Sequence, residues 1–199
     1  MNEPVLEKWN ESHASVGRET ASAIVDVFDR VLSDAFDERP LQTLFASYAN
    51  LLAPLAPPGS TYWCLDRPRF GAEFVPDFLL ASRTSSGFRW TMVELESPNE
   101  RVLTKSGLPA KKLAEALKQI RDWRMWLTDN VAYARDQLGL KDIEAICPSY
   151  VIIGRRGSLD PKQAKTYRAL STDGTTVMSY DRLRDLVHRG LYNNEGNSE

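Results

Sequence analysis

Two neighbouring stretches decide the reading: Phe74-Val75-Pro76-Asp77-Phe78-Leu79-Leu80-Ala81 and Trp90-Thr91-Met92-Val93-Glu94-Leu95-Glu96-Ser97-Pro98. Both are rich in the aromatic and β-branched residues that suit a half-buried sheet. The hydrophilic segment Ser82-Arg83-Thr84-Ser85-Ser86-Gly87 between them carries turn chemistry, so the pair reads as a hairpin. Side chains alternate along a strand, which puts Glu94 and Glu96 on one face and Leu95 on the other. A carboxylate inside such a strand is costly to desolvate unless a cation, a proton or a metal answers it. The economical expectation is that Asp77, Glu94 and Glu96 converge and share a divalent cation.

Working outward, the 199 residues suffice for one domain with a sizeable core and a terminal extension. Upstream, apolar positions from Ala14 to Phe36 recur at helical spacing, and Leu41 to Leu52 repeats the pattern until Pro54, Pro57, Pro58 and Gly59 end it. Asp37 is placed to cap that second helix. Thr61 to Leu65 reads as a first strand. Downstream, Ala110 to Leu138 is the longest periodic run, with Leu113, Leu117, Ile120, Trp123, Leu127 and Val131 on one face. Ser149 to Gly154 reads as a strand buried on both faces. Pro161 to Leu170 and Asp181 to Arg189 read as helices around a last strand, Thr175 to Tyr180. A strand, a long helix and another strand demand a crossover, so at least one parallel pair is expected in an α/β core.

The net charge of −2 argues against a broadly basic surface, although an acidic metal site would hide local basic patches in that sum. No apolar run approaches a membrane span, and the N-terminus lacks the pattern of a signal peptide, which leads us to expect a cytoplasmic protein without a membrane partner. Cys64 and Cys147 lack metal-type spacing and read as buried free thiols, which disfavours zinc.

An Asp entering one strand and a Glu-x-Glu on the next, followed by a long helix, resembles the PD-(D/E)XK nuclease core. The likeness extends further. Phe78-Leu79-Leu80, Val93-Glu94-Leu95-Glu96-Ser97-Pro98, Glu115 to Trp123, Val151-Ile152-Ile153-Gly154-Arg155 and Ser179-Tyr180-Asp181-Arg182-Leu183 keep the order of the Shedu-type domain, over roughly Leu41 to Val187. The resemblance implies a mixed sheet flanked by helices, with 37–190 as the nuclease-like domain. Outside the resembling blocks, residues 1–36 read as an added N-terminal helical extension whose wide apolar stripe needs a partner, packing outside the core or building a homo-oligomer contact, and the polar residues 191–199 read as a disordered tail. The resemblance further implies a metal-dependent endonuclease of bacterial anti-phage defence acting on DNA.

Carried over residue by residue, Asp77 and Glu94 would bind Mg2+ (or Mn2+) with the Leu95 carbonyl, and hard oxygen donors suit those ions. Glu96 departs from the lysine usual at its position. On the face it shares with Glu94 it would orient or deprotonate the water, or hold a second ion, while Lys105, Lys111 or Lys112 supplies the missing positive charge. Gln119 and Trp123, four apart on one helix, resemble the Gln-x-x-x-Tyr signature of RecB-like members. Gln119 would contact water or phosphate, and Trp123 reads better as core. Arg155 would clamp phosphate. Glu38 is the kind of acid that such nucleases place near the metal, though a helix start accounts for it as well. The alternative is a catalytically degenerate domain of the same fold that binds nucleic acid or a partner.

Overall fold

The structure, a computed structural model, describes residues 18–59, 61–158, 161–171 and 173–193. Residues 1–17 of the stretch read as a helical extension and residues 194–199 of the C-terminal tail lie outside the described residues. Helix α1 (Arg18–Asp34) and helix α2 (Arg39–Ser47) are followed by a 3-10 segment, Ala49–Leu55, where Pro54 stops a regular helix from continuing. Strand β1 (Thr61–Asp66) leads through an irregular loop to β2 (Phe78–Thr84) and β3 (Gly87–Leu95). Then come helix α3 (Lys111–Asp136), strand β4 (Ser149–Ile152), short helix α4 (Ala164–Ala169), strand β5 (Thr175–Met178) and helix α5 (Tyr180–Asn193).

The five strands form one mixed sheet in sequence order. β1, β2 and β3 are antiparallel, whereas β3, β4 and β5 run parallel, with α3 as the crossover between β3 and β4. Each face buries a separate set of side chains, as the period of two requires. Trp63, Leu65, Leu79, Ala81, Trp90, Met92 and Val151 pack with Leu113, Ile120, Trp123 and Leu127 of α3. Phe78, Leu80, Val93, Leu95, Ile152 and Met178 pack with α1, α2, the 3-10 segment and α5. The result is a mixed α/β architecture, a five-stranded sheet with helices on both sides.

Several boundaries move. The hairpin turn shrinks to Ser85-Ser86, because Ser82, Arg83 and Thr84 pair across to Arg89, Phe88 and Gly87. Polar residues at the end of the hairpin masked its true length. Asp37 accepts a hydrogen bond from the Arg39 amide at 3.1 Å, beside its ion pair with the Arg39 guanidinium, but it sits one residue ahead of the expected capping position, which Glu38 occupies without a side-chain capping bond. The last helix runs on to Asn193, into the stretch read as tail.

Helix α1 lies against its own chain. Phe28 meets Phe45 edge-on at 5.4 Å, Phe45 meets Phe78 of the sheet at 6.4 Å, and Arg184 of α5 pairs with Asp29 at 2.7 Å. The apolar stripe that needed a partner therefore finds one in α2 and α5. Among the described residues, no helix is long and apolar enough to cross a membrane.

Candidate metal centre

The acids gather where β2 begins and β3 ends. The register pairs Phe78 with Val93 and Leu79 with Met92, so the next position puts Asp77 opposite Glu94. Glu94 and Glu96 continue the parity of Trp90 and Met92, which face α3, while Leu95 is buried in the opposite cluster. Like charges directly opposite on paired strands repel. Both glutamates are nevertheless only 7% exposed.

Local backbone chemistry explains how Asp77 is held. Continuing the register by one more residue sets Pro76 against Leu95, and proline has no N–H to offer the ladder. The Asp77 carboxylate takes the Leu95 amide instead, accepting its hydrogen at 2.8 Å. Its other oxygen accepts from the Gln42 side-chain amide at 2.9 Å. The Leu95 carbonyl thus sits beside the carboxylates and opposite a residue that cannot donate to it.

Burial and mutual repulsion dominate the electrostatics. Burial first, then the neighbouring Asp77 and Glu96 charges, push Glu94 up to about 9. Burial pushes Asp77 up to about 6, against the Leu95 hydrogen bond that favours its charged form. Glu96 rises to about 7, again chiefly by burial, with the Lys112 ammonium opposing the rise. Lys112 lies 3.7 Å from Glu96 and 3.8 Å from Glu115, and Glu96 in turn holds its ammonium above the ordinary lysine value. Spacing alone left three lysines open for the role beside Glu96. Lys112 is the one that reaches it, while Lys111 pairs with Glu115 at 3.7 Å and Lys105 is exposed on the loop before α3.

Three residues join the site that sequence reasoning undervalued or missed. Glu38, at the start of α2, raises the proton affinity of Asp77, Glu94 and Glu96. It comes close because Ser97 and Asn99, just beyond β3, donate to the carbonyls of Ala35 and Phe36 and tie down the α1–α2 connection. Gln42, one helical turn after Glu38, supplies the amide on Asp77. Tyr180, fully buried at the start of α5, donates its hydroxyl to the Glu96 carbonyl at 2.8 Å and so fixes the backbone where β3 ends. Glu38 and Gln42 are four apart on one helix, the only sequence signal they give, and it says nothing of what they face.

The other candidates stand apart. Gln119 is exposed on α3, seven residues beyond Lys112 and so about 10 Å further along the same side. Trp123 is core, 1% exposed. Arg155 is engaged by Asp181 through two nitrogens at 3.0 and 3.1 Å and also donates to the Leu32 carbonyl. Cys64 and Cys147 are free thiols pushed up to about 12 by burial, protonated and unsuited to a metal.

The donor set suits one class of ion. Among the described residues, no three Asp, Glu, His or Cys side chains gather as a cage for a metal. Magnesium does not ask for one: it keeps several waters and binds through one or two carboxylates. Two acids that repel each other, beside a carbonyl facing a proline, fit that pattern.

A mixed sheet whose acids meet at the end of two central strands defines an α/β protein with a carboxylate centre compatible with a nuclease-like fold. The family follows directly: residues 35–184 match the model of the Shedu protein SduA, C-terminal, and the chain belongs to that family, which points to anti-phage defence. No curated protein matches the chain.

Proposed function

We propose that this protein is a magnesium-dependent endonuclease of the PD-(D/E)XK fold that hydrolyses DNA phosphodiester bonds in cytoplasmic anti-phage defence. The observation that carries the reading is the opposition of half-buried Asp77 and buried Glu94, acids whose proton affinities rise first through burial and then through the charge of neighbouring acids. Such a pair is a poor structural device and a good ion trap, since a dication reverses the repulsion.

In this reading Asp77, Glu94 and the Leu95 carbonyl hold the metal. A bound Mg2+ would neutralise phosphate charge and supply an acidified water. Pro76 keeps the Leu95 carbonyl out of the ladder, and Gln42 with the Leu95 amide orients Asp77. Glu96, raised towards neutrality, accepts a proton from water near pH 7, where general bases work best. Lys112 enters from α3 and places its ammonium beside Glu96, where it stabilises negative charge developing on the phosphate oxygens.

Plasmid and single-stranded DNA incubated with the full chain over a magnesium titration test the proposal. Cleavage should require Mg2+ or Mn2+ and disappear in Asp77→Ala and Glu94→Ala. Full magnesium-dependent cleavage by the double variant would remove the reading. A second reading, a binding module that does not cut, is favoured by one feature: Glu96 stands where the fold usually has lysine. It predicts DNA binding by the wild type with no cleavage under any divalent metal.

A further inference from the structure

The charge of the chain is segregated in a way the net value hides. Residues 101–112 and 161–170 hold seven of its 25 Lys and Arg and none of its 27 Asp and Glu, so the remainder carries a net −9. The two segments are far apart in sequence but touch in the fold. Gln163 donates its side-chain amide to the Thr104 carbonyl at 2.8 Å, and a Cβ on Gly107 would lie 4.0 Å from Thr166. The loop is itself built, not slack: Leu103 bridges Pro109, and the Ala110 amide bonds the Val102 carbonyl at 2.9 Å. Lys105 is exposed next to Thr104, and Lys162 and Lys165 are exposed next to Gln163 and Thr166, so the three lysines lie on segments that the Thr104–Gln163 contact brings together. That surface leads through Lys111 and Lys112 straight to Glu96. Two acids border it there: Glu115 pairs with Lys111 and Lys112, and Glu100 acts on Glu96 and Lys112.

We propose that the loop 101–109, the first turn of α3 and residues 162–169, helix α4 with the turn before it, form a rim that carries the phosphate backbone of DNA beside the acid centre. The proposal rests on the nuclease reading for its substrate, and it adds where the strand lies. Compact ammonium groups on flexible stems bind phosphate as point charges and read no bases. The rim therefore contributes affinity without sequence preference. It also offsets the repulsion between a polyanion and the acids next to it.

The experiment measures binding of a labelled DNA duplex to the full chain carrying Asp77→Asn, as a function of salt, with and without Lys105→Ala, Lys162→Ala and Lys165→Ala together. Each phosphate contact contributes about 0.9 to the slope of log affinity against log salt. The triple variant should flatten the slope by up to about 3 units and weaken binding at least about tenfold at moderate salt. A control triple at the far end of the sheet, Arg83→Ala, Arg89→Ala and Lys141→Ala, makes the same change in net charge and should leave the slope within about one unit. An unchanged slope in the rim variant overturns the proposal, as does equal weakening by the control. Slope loss confined to the rim variant, in a protein whose Asp77 parent cuts nothing with any divalent metal, upholds the rim and sinks the nuclease reading.

Discussion

Asp181, in the first turn of helix α5, and Glu94, near the end of strand β3, are acids that differ in what answers them. Asp181 opens α5 and receives the Arg155 guanidinium at 3.0 Å and the Arg156 amide at 2.6 Å. Burial pushes its carboxyl up, but these bonds outweigh it and hold it below the usual carboxylate range. Glu94 is buried in the sheet, faces Asp77, and is displaced in the opposite direction. Stability alone would have selected the first arrangement at both places. The second arrangement leaves a local cost at the end of β3, the kind of perturbed carboxylate that marks a candidate functional site.

The sharpest way to break that comparison is to remove the unpaired acids. Asp77→Ala or Glu94→Ala should lower magnesium-dependent cleavage by about 10³-fold or more, the scale seen when one member of a cooperating set is lost. Metal-free thermal stability should hold level or rise in Glu94→Ala, because a repulsive neighbour has gone, whereas Asp77→Ala also gives up the bonds from the Leu95 and Gln42 amides. A large fall in apo stability instead would place Glu94 on the same footing as Asp181.

The pH dependence comes next in size. A carboxyl whose folded-state value lies above its unfolded value binds more protons when folded, so stability falls as pH rises between the two. For Glu94 that window runs from its ordinary value near 4.5 up to about 9, with Glu96 and Asp77 adding losses towards about 7 and 6. By pH 7 the Glu94 contribution is on the order of 3 kcal/mol. Denaturation of the metal-free protein from pH 5 to 9 should show this decline, and Glu94→Gln should flatten it. Millimolar Mg2+ should restore more stability at pH 8 than at pH 5.5.

Lys112→Ala is the third test and carries a pH signature of its own. Without the ammonium that opposes its burial, Glu96 should hold its proton to higher pH. Cleavage at pH 7 should drop by roughly 10²-fold, the lower range for proton-transfer groups, with the rising limb of the pH–rate profile moved to more alkaline pH. Glu96→Lys restores the usual motif. If it stays active, Glu96 occupies an equivalent of the lysine position, and the double variant with Lys112→Ala should be no worse than Lys112→Ala alone. Loss of activity in Glu96→Lys would make Glu96 a base or ligand in its own right.

The chain order of strands and helices was legible because periodicity is local: Glu94 and Glu96 share a face by the pleat, and Leu113, Ile120, Trp123 and Leu127 mark one side of α3. What stayed hidden depends on tertiary return. Lys112 follows Glu96 by sixteen positions and meets it only because the loop after β3 doubles back before α3 starts. Glu38 and Gln42 precede the strands and arrive through the Ser97 and Asn99 hydrogen bonds to the end of α1. No spacing rule encodes either approach. Arg155 shows the converse: its position after a buried strand suggested phosphate, while its guanidinium is engaged by Asp181.

That engagement gives the smallest expected effect and completes the comparison. Asp181→Asn removes the charge from a pair that is partly open to solvent, with side chains 39% and 23% exposed, so screening limits its worth. The Arg156 amide and the Leu32 carbonyl contact both survive in principle, since asparagine still accepts and Arg155 still reaches α1. The expected loss is about 1 kcal/mol in chemical denaturation at pH 7. Its pH dependence must run opposite to that of Glu94. A carboxyl held below its unfolded value stabilises above that value, near 3.8, and the stabilisation disappears as pH falls through the folded one. Wild type and Asp181→Asn should therefore converge in stability as pH drops below 4 and stay separated from pH 5 to 9, where Glu94→Gln diverges from wild type steadily. A constant gap down to pH 2 would show that Asp181 acts by shape alone, and the contrast between an answered and an unanswered acid would then rest on Glu94 only.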